Sequence, residues 1–139
     1  MANRSYDLFI SHSWTYSDAY DRLIDLLDQK PAFPYRNYSV PRHDPLHTSG
    51  SDKELYAAIK EQIRQASCIV ICAGVYATHS KWIDKEIKIA IQEFSTKKPI
   101  IGVKPWENTN VSQLVKDNAD LMVAWRKASI EDAIRSMVG

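Results

Sequence analysis

The period of the apolar positions changes from element to element along the chain, and the alternation predicts a fold class. Tyr6 to Ser11 is a short aromatic and apolar run that reads as a strand. From Tyr16 to Asp28, the residues Ala19, Leu23, Leu26 and Leu27 fall on one side of a helix, with Thr15 and Asp18 as its cap. Lys30 to Gly50 holds four prolines, which rules out a long helix and leaves room for one short strand at Asn37 to Val40. Ser51 and Glu54 form a capping-box pattern ahead of Leu55, Ala58, Ile59, Ile63 and Ala66 at helical spacing. Cys68 to Gly74 is continuously apolar, as expected of a central parallel strand covered on both faces. A helix from Ser80 to Phe94 and a strand at Pro99 to Val103 follow. Asn110 with Gln113 predicts a short helix, Leu121 to Ala124 a last strand, and Ser129 to Met137 a closing helix.

Five strands alternating with helices predict a three-layer α/β/α, flavodoxin-like fold whose parallel sheet has the order 2-1-3-4-5. Ligands of such sheets bind beyond the carboxyl ends of the strands where the order reverses, here beside strands one and three. This directs attention to Ser11 to Tyr16, Gly74 to Ser80 and Pro41 to Gly50. Without internal repeats or a linker, residues 1–139 are expected to form one domain.

Charge and composition narrow the partners. With 18 basic and 17 acidic residues the net charge is +1, which gives no electrostatic reason to expect nucleic acid or an anionic membrane. No stretch reaches the roughly 18 apolar residues of a membrane span. The start, Met1 to Arg4, shows no secretory signal, so a cytoplasmic location is expected. Cys68 and Cys72 share a strand face and read as reduced core thiols.

Several familiar chemistries are absent. The chain lacks GxGxxG and the Walker pattern, and no GxSxG elbow presents Ser11 or Ser13 as a nucleophile. His43 and His47 have helical metal-pair spacing, but Pro45 between them breaks such a helix and no cysteine cluster joins them; no metal is expected. A phosphorelay receiver needs an aspartate ending the middle strand, where this chain has Cys72-Ala73-Gly74, and Asp7 and Asp18 are not placed as a magnesium-binding pair.

The helix after strand three is more informative. Ile83, Ile87, Ala90, Ile91 and Phe94 form its buried stripe, and Glu86 falls on the shoulder of that stripe with Trp82 one turn earlier on the same side. That places a partly shielded carboxylate beside an aromatic ring near the mouth of the sheet. The plainer alternative is a boundary glutamate paired with Lys85 or solvent.

Two segments carry a family likeness. Tyr6-Asp7-Leu8-Phe9-Ile10-Ser11-His12-Ser13 resembles the opening strand and loop of Toll/interleukin-1 receptor (TIR) domains, and Ser80-Lys81-Trp82-Ile83-Asp84-Lys85-Glu86-Ile87 resembles their S-x-W-x-x-x-E segment. The divergent middle, Asn37 to Ser51, is more similar to the bacterial TIR-like proteins of Thoeris antiphage systems than to receptor adaptors. Where eukaryotic TIR domains have a long BB loop, this chain has Pro41-Arg42-His43-Asp44-Pro45-Leu46-His47. The resemblance implies an enzyme that cleaves NAD as a substrate, not as a bound cofactor, and makes a linear, cyclic or conjugated ADP-ribose signal. It implies Glu86 as the catalytic glutamate, self-association on activation, and a separately encoded effector that responds to the product.

The chemistry suits one carboxylate. Nicotinamide is already a cationic leaving group, so the bond needs no acid to protonate it, and one carboxylate can hold the ribose hydroxyls and stabilise the oxocarbenium-like transition state. Ser11, His12, Ser13 and Trp14 are expected across the site from it. Their main-chain and hydroxyl groups would hold ribose or pyrophosphate, and Trp14 or Trp82 would stack on a ring. For His12, capping of a neighbouring loop competes with that role. Tyr76 would close a third side, and Arg42 would offer phosphate a fork of donors. Phe9 is expected in the core. Two other classes stay open, a non-catalytic TIR-like interaction module and a sensor that holds a dinucleotide without cleaving it.

Overall fold

A computed structural model describes residues 5–11, 18–39, 52–74, 81–104 and 111–138 of the chain. In chain order the elements are β1 (Tyr6–Ile10), α1 (Asp18–Asp28), β2 (Tyr35–Asn37), α2 (Asp52–Gln65), β3 (Cys68–Cys72), α3 (Lys81–Gln92), β4 (Ile100–Val103), α4 (Gln113–Asn118), β5 (Leu121–Val123) and α5 (Lys127–Val138). The five strands form one sheet in the order β2-β1-β3-β4-β5, and every pairing within it is parallel. This is the predicted architecture.

Each parallel connection needs a crossover, and right-handed crossovers sort the helices onto two faces. Phe9, Ile69, Ile71 and Ile100 of the sheet pack with Ile59, Ile63, Ile83, Ile87, Ile89 and Val115 of α2, α3 and α4. Leu8, Ile10, Cys68, Val70, Cys72, Ile101 and Val103 point the other way, against Leu23 and Leu27 of α1 and Ile130 and Ile134 of α5. The period-2 alternation of β1 therefore feeds both cores, and β3, buried at all five positions, is the central strand.

The second strand lies two residues earlier than the Asn37 to Val40 expectation. Its pairing begins where Tyr35 meets Tyr6 and continues through Arg36↔Asp7 and Asn37↔Leu8. It stops because Asn37 Oδ1 accepts from both the Ser39 backbone N–H (3.0 Å) and the Ser39 hydroxyl (2.6 Å), an Asx-type turn that takes the chain out of the ladder. The cap of α4 is Ser112, whose hydroxyl accepts from the Val115 N–H at 3.3 Å; the expected cap, Asn110, lies outside the described residues. The remaining strands and helices fall within one to three residues of their predicted ends wherever those ends are described.

The amino edge of the sheet is tied down by side chains. Asp120 accepts from the Ile100 N–H (2.8 Å) through one oxygen and from Lys97 Nζ (2.6 Å) through the other. Lys98 Nζ donates to the carbonyls of Arg64 and Ala66 at the end of α2, and burial pushes its pKa down.

Two packing features give predictions. Gly102 of β4 is buried opposite Met122 of β5, and a Cβ there would collide with Met122 Sδ and lie 3.0 Å from Val115 Cγ1. Gly102→Ala is expected to destabilise the fold by about 1–2 kcal/mol in denaturant titration, with part of the loss recovered by adding Met122→Ala. Additivity of the two substitutions would contradict this packing account. Cys68 and Cys72 are buried thiols on one face, as expected, and burial pushes both pKa values up to about 12. At pH 8 roughly one thiol in ten thousand would be a thiolate. A thiol reagent should therefore label them at the rate of unfolding, and rapid native labelling would count against this placement.

Candidate active site

The candidate site is built where the sheet order reverses. β1 and β3 run side by side in the register Ile10↔Val70, and each delivers its chain to the carboxyl edge. Ser11 follows β1 directly and stays in the ladder, its backbone N–H donating to the Val70 carbonyl at 2.9 Å. That bond holds the residue inside the sheet edge, and Ser11 is only 2% exposed.

Glu86 comes to the same place from α3. The connection β3–α3–β4 lays α3 on the sheet between α2 and α4, so it is covered on more than its sheet-facing side. Ile83, Ile87 and Ala90 are buried as the stripe predicts, and Ile89 is buried too, in the cluster that contains Ile100 and Val115. Position 86 sits among these, one turn from Ile83, Ile89 and Ala90, and its side chain is 4% exposed. The glutamate is thus fully inside, neither a shoulder residue nor a boundary one paired with Lys85. Lys85 instead extends over the Tyr56 ring of α2, with Nζ 5.9 Å from its centroid.

The two residues meet across 75 positions of sequence. The Ser11 hydroxyl donates to Glu86 Oε1 at 2.5 Å, a short bond between two buried groups. Burial pushes the Glu86 pKa up to about 8, and the Ser11 hydroxyl works against that rise. Lys60 of α2 is engaged with Glu93 (2.9 Å), and Lys88 with Asp84 (2.9 Å). Near pH 7 the carboxyl of the ligand-free protein is therefore mainly protonated, and a modest local field can ionise it. A group poised this way, at the switch point of a doubly wound sheet, suits proton exchange or stabilisation of a nearby positive charge.

Of the residues singled out from sequence, Ser11 and Glu86 are brought together. Phe9 lies in the core, 1% exposed. Trp82 is in the first turn of α3, one turn before Glu86, and its backbone alone is described. His12, Ser13, Trp14, Arg42 and Tyr76 lie outside the described residues, as do His43 and His47. The Ser11–Glu86 bond itself had no local signal, because sequence spacing does not report a contact between a strand end and a distant helix. Among the described residues, no group of three or more His, Cys, Asp or Glu side chains could hold a metal ion, and no helix is long and apolar enough to cross a membrane.

Comparison with known proteins places the chain. A family model described as "Thoeris protein ThsB, TIR-like domain" matches residues 9–110, a span that contains both Ser11 and Glu86. In structure the chain is similar to one described as "Structure of Clostridium botulinum CMP N-glycosidase, BcmB", at 10% identity, with 94% of this chain and 98% of that chain covered and a TM-score of 0.48. A likeness of that degree carries no argument about chemistry. No curated protein matches the chain.

Proposed function

The chain belongs to the TIR-like domain family of the Thoeris protein ThsB, and from that premise we propose that it cleaves NAD at the nicotinamide–ribose bond with Glu86 as the catalytic carboxylate. The observation that supports this most is the buried Glu86 carboxyl, held by Ser11 at the carboxyl edge of the sheet where β1 and β3 diverge. The bond to be broken joins the ribose to a cationic leaving group, which departs without protonation. What needs help is the positive charge that grows on the ribose as nicotinamide leaves. An ionised Glu86 in a water-poor setting opposes that charge with little dielectric screening.

A carboxyl that rests neutral fits this role. The cationic nicotinamide ring of NAD, brought beside the carboxyl, favours the ionised form and would lower the Glu86 pKa so that its proton is released as the site fills. The proposed remainder of the site is the loop His12-Ser13-Trp14 against ribose and pyrophosphate, Trp82 or Trp14 stacked on a ring, Tyr76 as a further wall and Arg42 on phosphate. Whether water, an adenine nitrogen or another acceptor attacks the ribosyl carbon decides between linear, cyclic and conjugated product. The product is proposed as a signal for a separately encoded effector, made by a self-associated form of the protein.

Mass analysis of the products after incubation of the assembled protein with NAD tests this reading. Wild type is expected to release nicotinamide together with an ADP-ribose species, and Glu86→Gln is not. Equal turnover by the two would remove Glu86 from the mechanism.

A further inference from the structure

Ser11 is as buried as the core around it, yet it is a hydroxyl residue at the edge where a ligand is expected. Its backbone is fixed by the N–H bond to Val70, and its side-chain proton is directed at Glu86 Oε1. A hydroxyl has one proton to give, and here it is committed to the carboxyl. Resting on the assignment of Glu86 above, we propose that Ser11 is a positioning residue that reaches substrate only through Glu86, holding Oε1 so that Oε2 is the oxygen presented to the ribose.

The terminal torsion of a glutamate is broad and nearly two-fold, so helix packing alone does not choose which oxygen faces a ligand. Ile83 and Ile87 hold the backbone of α3 on the sheet. One donor anchored to β1 does choose. It also offsets part of the burial penalty on the charged form. Among the described charged groups on the packed elements, Lys60 is paired with Glu93, Lys88 with Asp84, and Lys85 lies over Tyr56, leaving the Ser11 hydroxyl as the contact that counters burial of Glu86. This role differs from direct substrate contact in what its removal should do.

The test compares wild type, Ser11→Ala and Ser11→Thr, the last retaining a hydroxyl. In nicotinamide release from NAD by the assembled protein, Ser11→Ala should lower kcat roughly ten- to hundredfold while KM stays within about twofold. The acid limb of its kcat/KM profile should move to higher pH, because the bond that favours the carboxylate is gone. Ser11→Thr should restore both. A rise in KM with an unmoved acid limb would mean that Ser11 contacts substrate directly, and overturns the proposal, as does wild-type behaviour of Ser11→Ala.

A second measurement needs no turnover. The pH dependence of unfolding, taken as the difference from a Glu86→Gln background, reports the Glu86 titration, and its midpoint should rise in Ser11→Ala and return in Ser11→Thr. An unmoved midpoint overturns the coupling. Full activity of Glu86→Gln would instead remove Glu86 from the NAD-cleaving mechanism, while a shifted midpoint would still show that Ser11 governs this carboxyl.

Discussion

Glu86→Gln is expected to abolish nicotinamide release from NAD, lowering kcat by at least about a hundredfold while KM and the fold are kept. The amide is nearly isosteric with the carboxyl and its oxygen can still accept from the Ser11 hydroxyl, so the local contact survives. What is lost is the charge. In a buried setting a carboxylate opposing an oxocarbenium-like ribose acts at low effective dielectric, and a neutral amide offers only a dipole. Because the interaction strengthens as the transition state forms, its loss falls on kcat. A variant with raised KM and unchanged kcat would show Glu86 to be a binding group only. For wild type, kcat/KM should climb with pH toward a midpoint near the free-protein value of about 8, since the ionised form is the one required.

The same carboxyl should make the fold less stable as the medium becomes more basic. In the folded chain Glu86 keeps its proton up to about pH 8, whereas its ordinary value is 4.5. Between those limits the folded state binds the extra proton, so stability attributable to this group is greatest below about 4.5, falls as pH rises, and levels off above about 8. The loss is on the order of several kcal/mol for a shift of this size. Glu86→Gln removes the titration. Its stability minus that of wild type should therefore grow across the window and be largest above pH 8, a comparison in which the other ionisable groups cancel. A difference independent of pH, in denaturant or thermal unfolding, would contradict the burial of a raised-pKa carboxyl. Activity and stability thus move in opposite directions with pH because both follow the charge on one buried oxygen pair.

The Ser11 bond tempers that opposition. It favours the charged form without opening the site to water, which lets a carboxyl remain inside the protein and still ionise when a cation arrives. Removal of the hydroxyl takes that compensation away.

Much of this protein is written locally along the chain. The period-2 and 3.6 patterns and the doubly apolar run of β3 each depend on a few neighbouring residues, so the order of elements and the 2-1-3-4-5 sheet follow from sequence. Cys68 and Cys72 are legible as one-face thiols for the same reason. Errors occurred where non-local pairing decides. β2 begins at Tyr35 because Tyr6 lies opposite, and it ends at the Asn37–Ser39 turn. Glu86 shows the limit most clearly. A helical stripe reports the face that meets the sheet, and on that measure position 86 is a shoulder. Packing of α2 against α3 covers a second side of that helix, and the reversal of strand order brings Ser11 from β1 to meet Glu86. The residue types and their S-x-W-x-x-x-E spacing were visible in the sequence. The burial that raises the Glu86 pKa, and the Ser11 hydroxyl that counters it, come together only after distant elements have packed.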